Sequence, residues 1–189
     1  MNILVCIKQV PDTTEIKIDP VKHTLIREGV PSIVNPFDAC ALEMAVRLKE
    51  KEGGKVVVIS MGPAQAKNAL KECLAVGADQ AFLVTDRAFG GSDTLATSYI
   101  LSRAIAAVEA KTGEKFDLIF CGKQAIDGDT AQVGPEIAEH MDLPHVTLAT
   151  AVEMADGKLH VTRDTDEGHD LVEVSLPALV TVTKTTYDP

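Results

Sequence analysis

FDLIFCGKQAIDGDTAQVG, residues 116–134, divides into three parts whose order decides the fold. Phe116 to Cys121 is a short apolar run with charge before it and glycine after it, the pattern of a strand buried on both faces of a parallel sheet. A polar loop follows, carrying Gly122, Asp127, Gly128 and Asp129, and then a segment with helical character. Strand, glycine-bearing loop and helix start together make the place where α/β folds hold phosphate, because loop N–H groups and the positive helix end both point out beyond the strand. The same order also describes an ordinary strand-to-helix connection that binds nothing.

Working upstream, Ile3 to Ile7 predicts a first core strand ending at Lys8-Gln9. Val10 to Thr14 breaks the chain, and alternation in Glu15–Asp19 and Thr24–Arg27 around Pro20 to His23 predicts a hairpin insertion at about 15–27. A helix is expected from about residue 37 to 52, with Ala41, Ala45 and Leu48 on its buried face and Gly53-Gly54 as its stop. Val56 to Met61 reads as the second core strand. Gly62-Pro63 opens a helix that buries Ala66, Leu70 and Cys73 and ends at Gly77. Ala81 to Thr85 is a third strand, and Ser92 or Asp93 can cap a helix from about 93 to 112 with Leu101, Ile105 and Val108 facing inward. This alternation implies an α/β fold with a doubly wound, Rossmann-like parallel sheet, a nucleotide-binding domain over 1–144. Ligands in such sheets bind beyond the carboxyl ends of the strands. The loops leaving those ends are Lys8 to Pro11, Met61 to Pro63, Thr85 to Asp93 and Gly122 to Asp129, all polar or glycine-bearing.

Downstream of Pro144 the period changes. His145–Ala155, Lys158–Arg163, His169–Ser175 and Ala178–Lys184 read as strands, with hairpin-type turns at Asp156-Gly157 and Glu167-Gly168. An antiparallel β appendage over 145–189 is expected, packed on the sheet edge or on another chain.

The bulk numbers narrow the function classes. Eighteen basic against 28 acidic residues among 189 give a net charge of −10, which makes nucleic acid and anionic membranes poor partners, since both require a basic surface. No apolar run approaches the roughly 20 residues of a membrane span, and Met1 runs straight into a strand-like start without a leader pattern, so a cytoplasmic protein with no membrane insertion is expected. Cys6, Cys40, Cys73 and Cys121 are dispersed, without a C-x-x-C, and read as reduced packing residues. The histidines show no metal spacing, and no catalytic acid, base or nucleophile stands out.

Within the loop after the fourth strand, Gly128 can take a positive φ and lets amides approach a phosphate. Thr130 offers a hydroxyl and Gln132 an amide. Asp129 is expected to cap the following helix, and Asp127 to hold the loop or a sugar hydroxyl. Pro135 leaves two options for that helix: a kinked first turn, or a regular start at Pro135 itself. Thr94 and Thr97 stand at i, i+3, so both hydroxyls can face one spot, although capping and solvent exposure would account for them equally. Arg87 is a loop cation with either a structural or an anion-stabilising role.

With these residues laid out, the chain resembles the β subunit of electron transfer flavoproteins. The resemblance rests on Gly122-Lys123-Gln124-Ala125-Ile126-Asp127, on Asn35-Pro36 at the start of the first helix, on Met61-Gly62-Pro63-Ala64-Gln65, and on Leu179 to Lys184 after Leu176-Pro177. Val10 to Glu15, Gly128 in Asp127-Gly128-Asp129-Thr130-Ala131-Gln132-Val133, and the loop Thr85 to Phe89 with Thr94 and Thr97 resemble the electron-bifurcating members. That resemblance implies an α-subunit partner with its own flavin, and FAD in this chain, or a structural AMP as in most of the family. It also implies NADH as electron donor, an acyl-CoA dehydrogenase-type partner, and ferredoxin or flavodoxin as a low-potential acceptor. Carried over by position, the nucleotide contacts fall on Cys6, Asn35, Pro36, Phe37, Asp38, Met61, and Gly122, Lys123, Gln124, Ala125, Ile126, Asp127, Gly128, Asp129, Thr130, Ala131, Gln132 and Val133, with Thr94 and Thr97 near the isoalloxazine ring. The family's C-terminal recognition loop and arm have no counterpart up to Pro189.

Overall fold

The structure, a computed structural model, describes residues 1–12 and 31–185; the hairpin expected at 15–27 lies outside the described residues. The centre is β1 (Asn2–Cys6), buried at four of its five positions. It pairs in parallel with β4 (Lys55–Met61) on one side and with β6 (Leu118–Gly122) on the other. Alternation along β1 sends Ile3 and Val5 to one face, against α1 (Pro36–Glu52) and α2 (Lys67–Val76). Leu4 and Cys6 go to the other, against α3 (Thr94–Thr112) and α4 (Val133–His140). The sheet is therefore apolar on both faces and covered on both, as a doubly wound arrangement requires.

Numbering the short pair β2 (Gln9–Pro11) and β3 (Ser32–Val34) as a separate antiparallel ribbon, the main sheet adds β5 (Gln80–Val84), β7 (His145–Ala155), β8 (Lys158–Thr165), β9 (Gly168–Val174) and β10 (Ala178–Val182). Its eight strands run in the order β5-β4-β1-β6-β10-β7-β8-β9. From β5 to β7 all neighbours are parallel, and β8 and β9 turn back as an antiparallel meander. The turn from β7 to β8 is the expected Asp156-Gly157, with φ of 52° and 77°, the conformation that matches the twist of a two-residue hairpin.

Two placements differ from the sequence expectation. β10, grouped in sequence with the appendage, lies inside the sheet between β6 and β7, and all five of its residues are buried. Its run Ala-Leu-Val-Thr-Val lacks the polar alternation of an exposed strand, and a place covered on both faces is what such a run needs. The helix expected from Pro63 begins later: Ala64–Ala66 form a single 3-10 turn, and α2 starts at Lys67. Among the described residues no helix is long and apolar enough to cross a membrane.

Candidate functional site

The chain leaves β1 toward α1 on one face and leaves β6 toward α4 on the other. Beyond their carboxyl ends the backbone must part, and a crevice opens there. A cavity of about 330 Å³ occupies it. Cys6 and Cys121, partners in register, lie at its floor beside Ile59 and Leu101. Met61 and Lys8 close one side, and Asp93, Thr94 and Thr97 of the α3 start close another. The loop from Gly122 to Ala125, then Gly128 and residues Thr130 to Gly134, forms the rim.

The rim is held by two side chains at the start of α1. Asp38 Oδ2 accepts the Lys8 amide at 2.7 Å and Asp38 Oδ1 accepts the Gly122 amide at 3.1 Å. One carboxylate thus satisfies two donors that the parting strands leave without a ladder partner. Gly122 must lack a side chain, because a Cβ there would stand 2.3 Å from Asp38 Oδ1. Burial drives the Asp38 pKa up to about 7, outweighing the hydrogen bonds from Lys8, Asn35 and Gly122 that pull it down. Asn35, fully buried, donates from Nδ2 to the Gln124 carbonyl at 2.8 Å and accepts the Ile126 amide at Oδ1 at 3.1 Å. Its side chain is spent on the loop, so α1 has no side-chain cap and relies on Pro36 in its first turn.

Within the loop, the Gly128 and Asp129 amides both turn back to the Ala125 carbonyl. Lys8 Nζ pairs with Asp127 Oδ1 at 2.6 Å, and Gln124 Nε2 donates to Asp129 Oδ1 at 2.7 Å. The Lys123 amide donates to the Val182 carbonyl, and its ammonium lies 5.8 Å from the centre of the Phe37 ring. The amides of Thr130, Ala131 and Gln132 donate to no backbone carbonyl among the described residues. Those of Val133 and Gly134 sit in the first turn of α4, where N–H groups have no helical partner. This is a run of free donors along one wall, an arrangement that suits an anion.

Most sequence candidates meet here. Cys6, Asp38, Met61, Thr94, Thr97, Gly122, Lys123, Gln124, Ala125, Gly128, Thr130, Ala131, Gln132 and Val133 all line the cavity. Asn35, Pro36, Phe37, Ile126, Asp127 and Asp129 do not: they brace the loop, begin α1, support Lys123, or face outward. Arg87, in an exposed turn, does not line it either.

Three local expectations are corrected. Asp129 does not cap α4; the cap position is Gln132, with no side-chain bond, and the Asp129 carboxylate is engaged by Gln124. The helix begins at Val133, with Pro135 in its first turn, where a missing N–H costs nothing. The positive φ angles belong to Asp129 (51°) and Ala131 (53°) and not to Gly128. The turn onto Ala125 is complete at Gly128, and the reversal falls one residue later, on an aspartate that tolerates it. A Cβ at Gly128 would meet nothing within 4 Å, so neither packing nor backbone demands a glycine there.

Ile7, Lys8, Ile59, Ser92, Asp93, Leu101 and Gly134 also line the cavity without being sequence candidates. Lys8 had a signal, as the first residue beyond a core strand; Ile59 and Leu101 read only as core. Thr94 Oγ1 donates to Glu136 Oε1 at 3.1 Å, tying α3 to α4 across the mouth. A second cavity, of about 230 Å³, adjoins the first through Lys8 and Met61 and continues toward Gln9, Gly62 and Asp127. No group of three or more His, Cys, Asp or Glu side chains among the described residues is placed to hold a metal ion.

Comparison with known proteins places this geometry in context. Residues 22–189 match the family model described as electron transfer flavoprotein domain. The chain is 59% identical over 184 residues to the electron transfer flavoprotein subunit beta of Thermoanaerobacterium thermosaccharolyticum, covering 97% of this chain and 68% of the relative. It is 54% identical to the same subunit of Megasphaera elsdenii, covering 100% of this chain and 71% of the relative. It is 53% identical to the caffeyl-CoA reductase-Etf complex subunit CarD of Acetobacterium woodii, again over 100% and 71%.

Proposed function

This chain belongs to the electron transfer flavoprotein β-subunit family, and we propose that it is an electron-bifurcating member that holds FAD. The observation carrying this reading is the open rim at Gly128, where an added Cβ meets nothing within 4 Å. An acidic side chain there would place negative charge beside the free amides of residues 130–134; glycine leaves that wall to a diphosphate. Two adjoining cavities, about 330 and 230 Å³, share Lys8 and Met61 and give a dinucleotide more room than the main one alone.

In this reading Asn35 and Asp38 fix the loop before any ligand arrives, so little ordering remains to be done on binding. Lys123 supplies a cation at the phosphate wall. Thr94 and Thr97 would stand beside the ring; Thr94 donates its proton to Glu136, so Thr97 and the positive end of α3 favour negative charge there. When bound, the flavin would supply acceptance of an electron pair from NADH and its onward delivery. The chain would bind and orient it within a cytoplasmic heterodimer. One electron would go to the flavin of the α subunit and an acyl-CoA dehydrogenase-type partner, the other to a low-potential carrier such as ferredoxin or flavodoxin. The name of the CarD relative, a subunit of a reductase-Etf complex, supports assembly with such a partner.

One observation favours a second reading. The main cavity taken alone lies near the lower end of ligand-pocket volumes, roughly 300–1,000 Å³, which suits a structural AMP and a purely scaffolding subunit. Co-production with an α subunit, followed by counting nucleotides released on denaturation, separates the two. Two FAD and no AMP per heterodimer supports bifurcation; one FAD and one AMP rejects it.

A further inference from the structure

Cys6 and Cys121 are register partners on β1 and β6, and both side chains face the α3–α4 side, at the floor of the main cavity. Both are free thiols. Contact with Cys6, then burial, then the nearby Cys6 and Asp38 charges keep the Cys121 thiol protonated well above its ordinary range. Register pairing brings the two side chains together on one face of neighbouring strands. A thiol held protonated, as that of Cys121 is, is slow in thiol–disulfide exchange. A single soft atom can bridge two neighbouring sulfurs, displacing the proton of each as it binds.

We infer that Cys6 and Cys121 form a two-sulfur site for a thiophilic acceptor of the trivalent-arsenic class, seated where its occupancy excludes a nucleotide. With an organoarsenic(III) oxide, two S–H bonds and the arsenic–oxygen double bond break and two As–S bonds form. One water departs with both protons, and arsenic remains trivalent. The exclusion rests on the nucleotide reading given above; the two-sulfur site does not.

The test is titration of the folded 189-residue chain with phenylarsine oxide, read by native mass and by thiol counting after denaturation. One equivalent bound, with two of the four thiols lost and both mapping to Cys6 and Cys121, is expected. C6S and C121S each leave one arm of the chelate and should weaken uptake by about a hundredfold. Should a serine variant not fold, the mapping on the unaltered chain decides alone. No uptake, unchanged uptake in both variants, or mapping to Cys40 or Cys73 overturns the site. AMP and FAD binding are measured separately by equilibrium dialysis. A nucleotide that binds and protects the thiols supports the exclusion, and one that binds without protecting them overturns it. If neither binds, the nucleotide reading and the exclusion fall together, and the thiol count still judges the pair.

Discussion

The buried carboxyl of Asp38 should make the stability of this protein depend on pH in a direction opposite to that of most acidic side chains. Its pKa rises from 3.8 to about 7 because burial outweighs the amides it accepts. A group that binds its proton more tightly when folded stabilises the fold fully below the unfolded value and loses that stabilisation as pH climbs through the folded one. The whole shift is worth roughly 4 kcal/mol at about 1.36 kcal/mol per pH unit, of which about 2–3 kcal/mol falls between pH 5 and pH 8. Asp38→Asn removes the titration. Its amide can accept only one of the two donors, Lys8 N or Gly122 N, so the variant also suffers a constant loss of about 1–3 kcal/mol. Urea unfolding of both proteins at fixed ionic strength from pH 5 to 8 isolates the effect, since the other titrating groups are common to both. The difference in unfolding free energy should shrink by about 2–3 kcal/mol as pH rises. A difference that stays level within about 0.5 kcal/mol over that range, or one that grows, refutes the assignment.

Gly128→Asp should leave stability within about 0.5 kcal/mol of the parent, since its Cβ enters open space, while FAD released from the purified heterodimer falls; undiminished FAD would remove the basis of the dinucleotide reading. Gly122→Ala forces a Cβ to 2.3 Å from Asp38 Oδ1 and should cost about 1–3 kcal/mol or more in chemical denaturation. Asn35→Ala strands the Gln124 carbonyl and the Ile126 amide. A loss of about 2–4 kcal/mol is expected, with faster hydrogen exchange confined to residues 122–132. Ala131→Gly relieves a left-handed alanine and should be neutral or raise stability by up to about 1 kcal/mol, visible as a higher thermal midpoint.

Much of the architecture could be read from periodicity. Apolar runs at 3–7, 56–61 and 116–121 each carry a strand, and the glycine-bearing loop after the last of them does rim the cavity. What sequence order could not convey was spatial adjacency. Nothing in Ala178–Val182 says that it slips between β6 and β7, since hairpin signals tie neighbours in sequence and the return from β9 carries none. Asp38 looked like any acid in a first helical turn, where the macrodipole already favours it; that it spans two strand ends is a tertiary fact. Asn35 stood only at the start of the first helix, and its partners lie about ninety residues away. Asp129 and Ala131 bear the reversed backbone although the glycine beside them was the natural choice, because the turn onto Ala125 had already been made.

The order of strands also bears on how this molecule comes into being on the ribosome. The slot beside β6 stays vacant until residues 178–182 emerge, and the Lys123 amide waits for the Val182 carbonyl. A nascent chain halted before that point would expose an apolar seam at the heart of its sheet, with the loop after β6 tethered on one flank only. The sheet is thus completed near the close of synthesis of this segment, and a chaperone guarding that seam would have reason to release late.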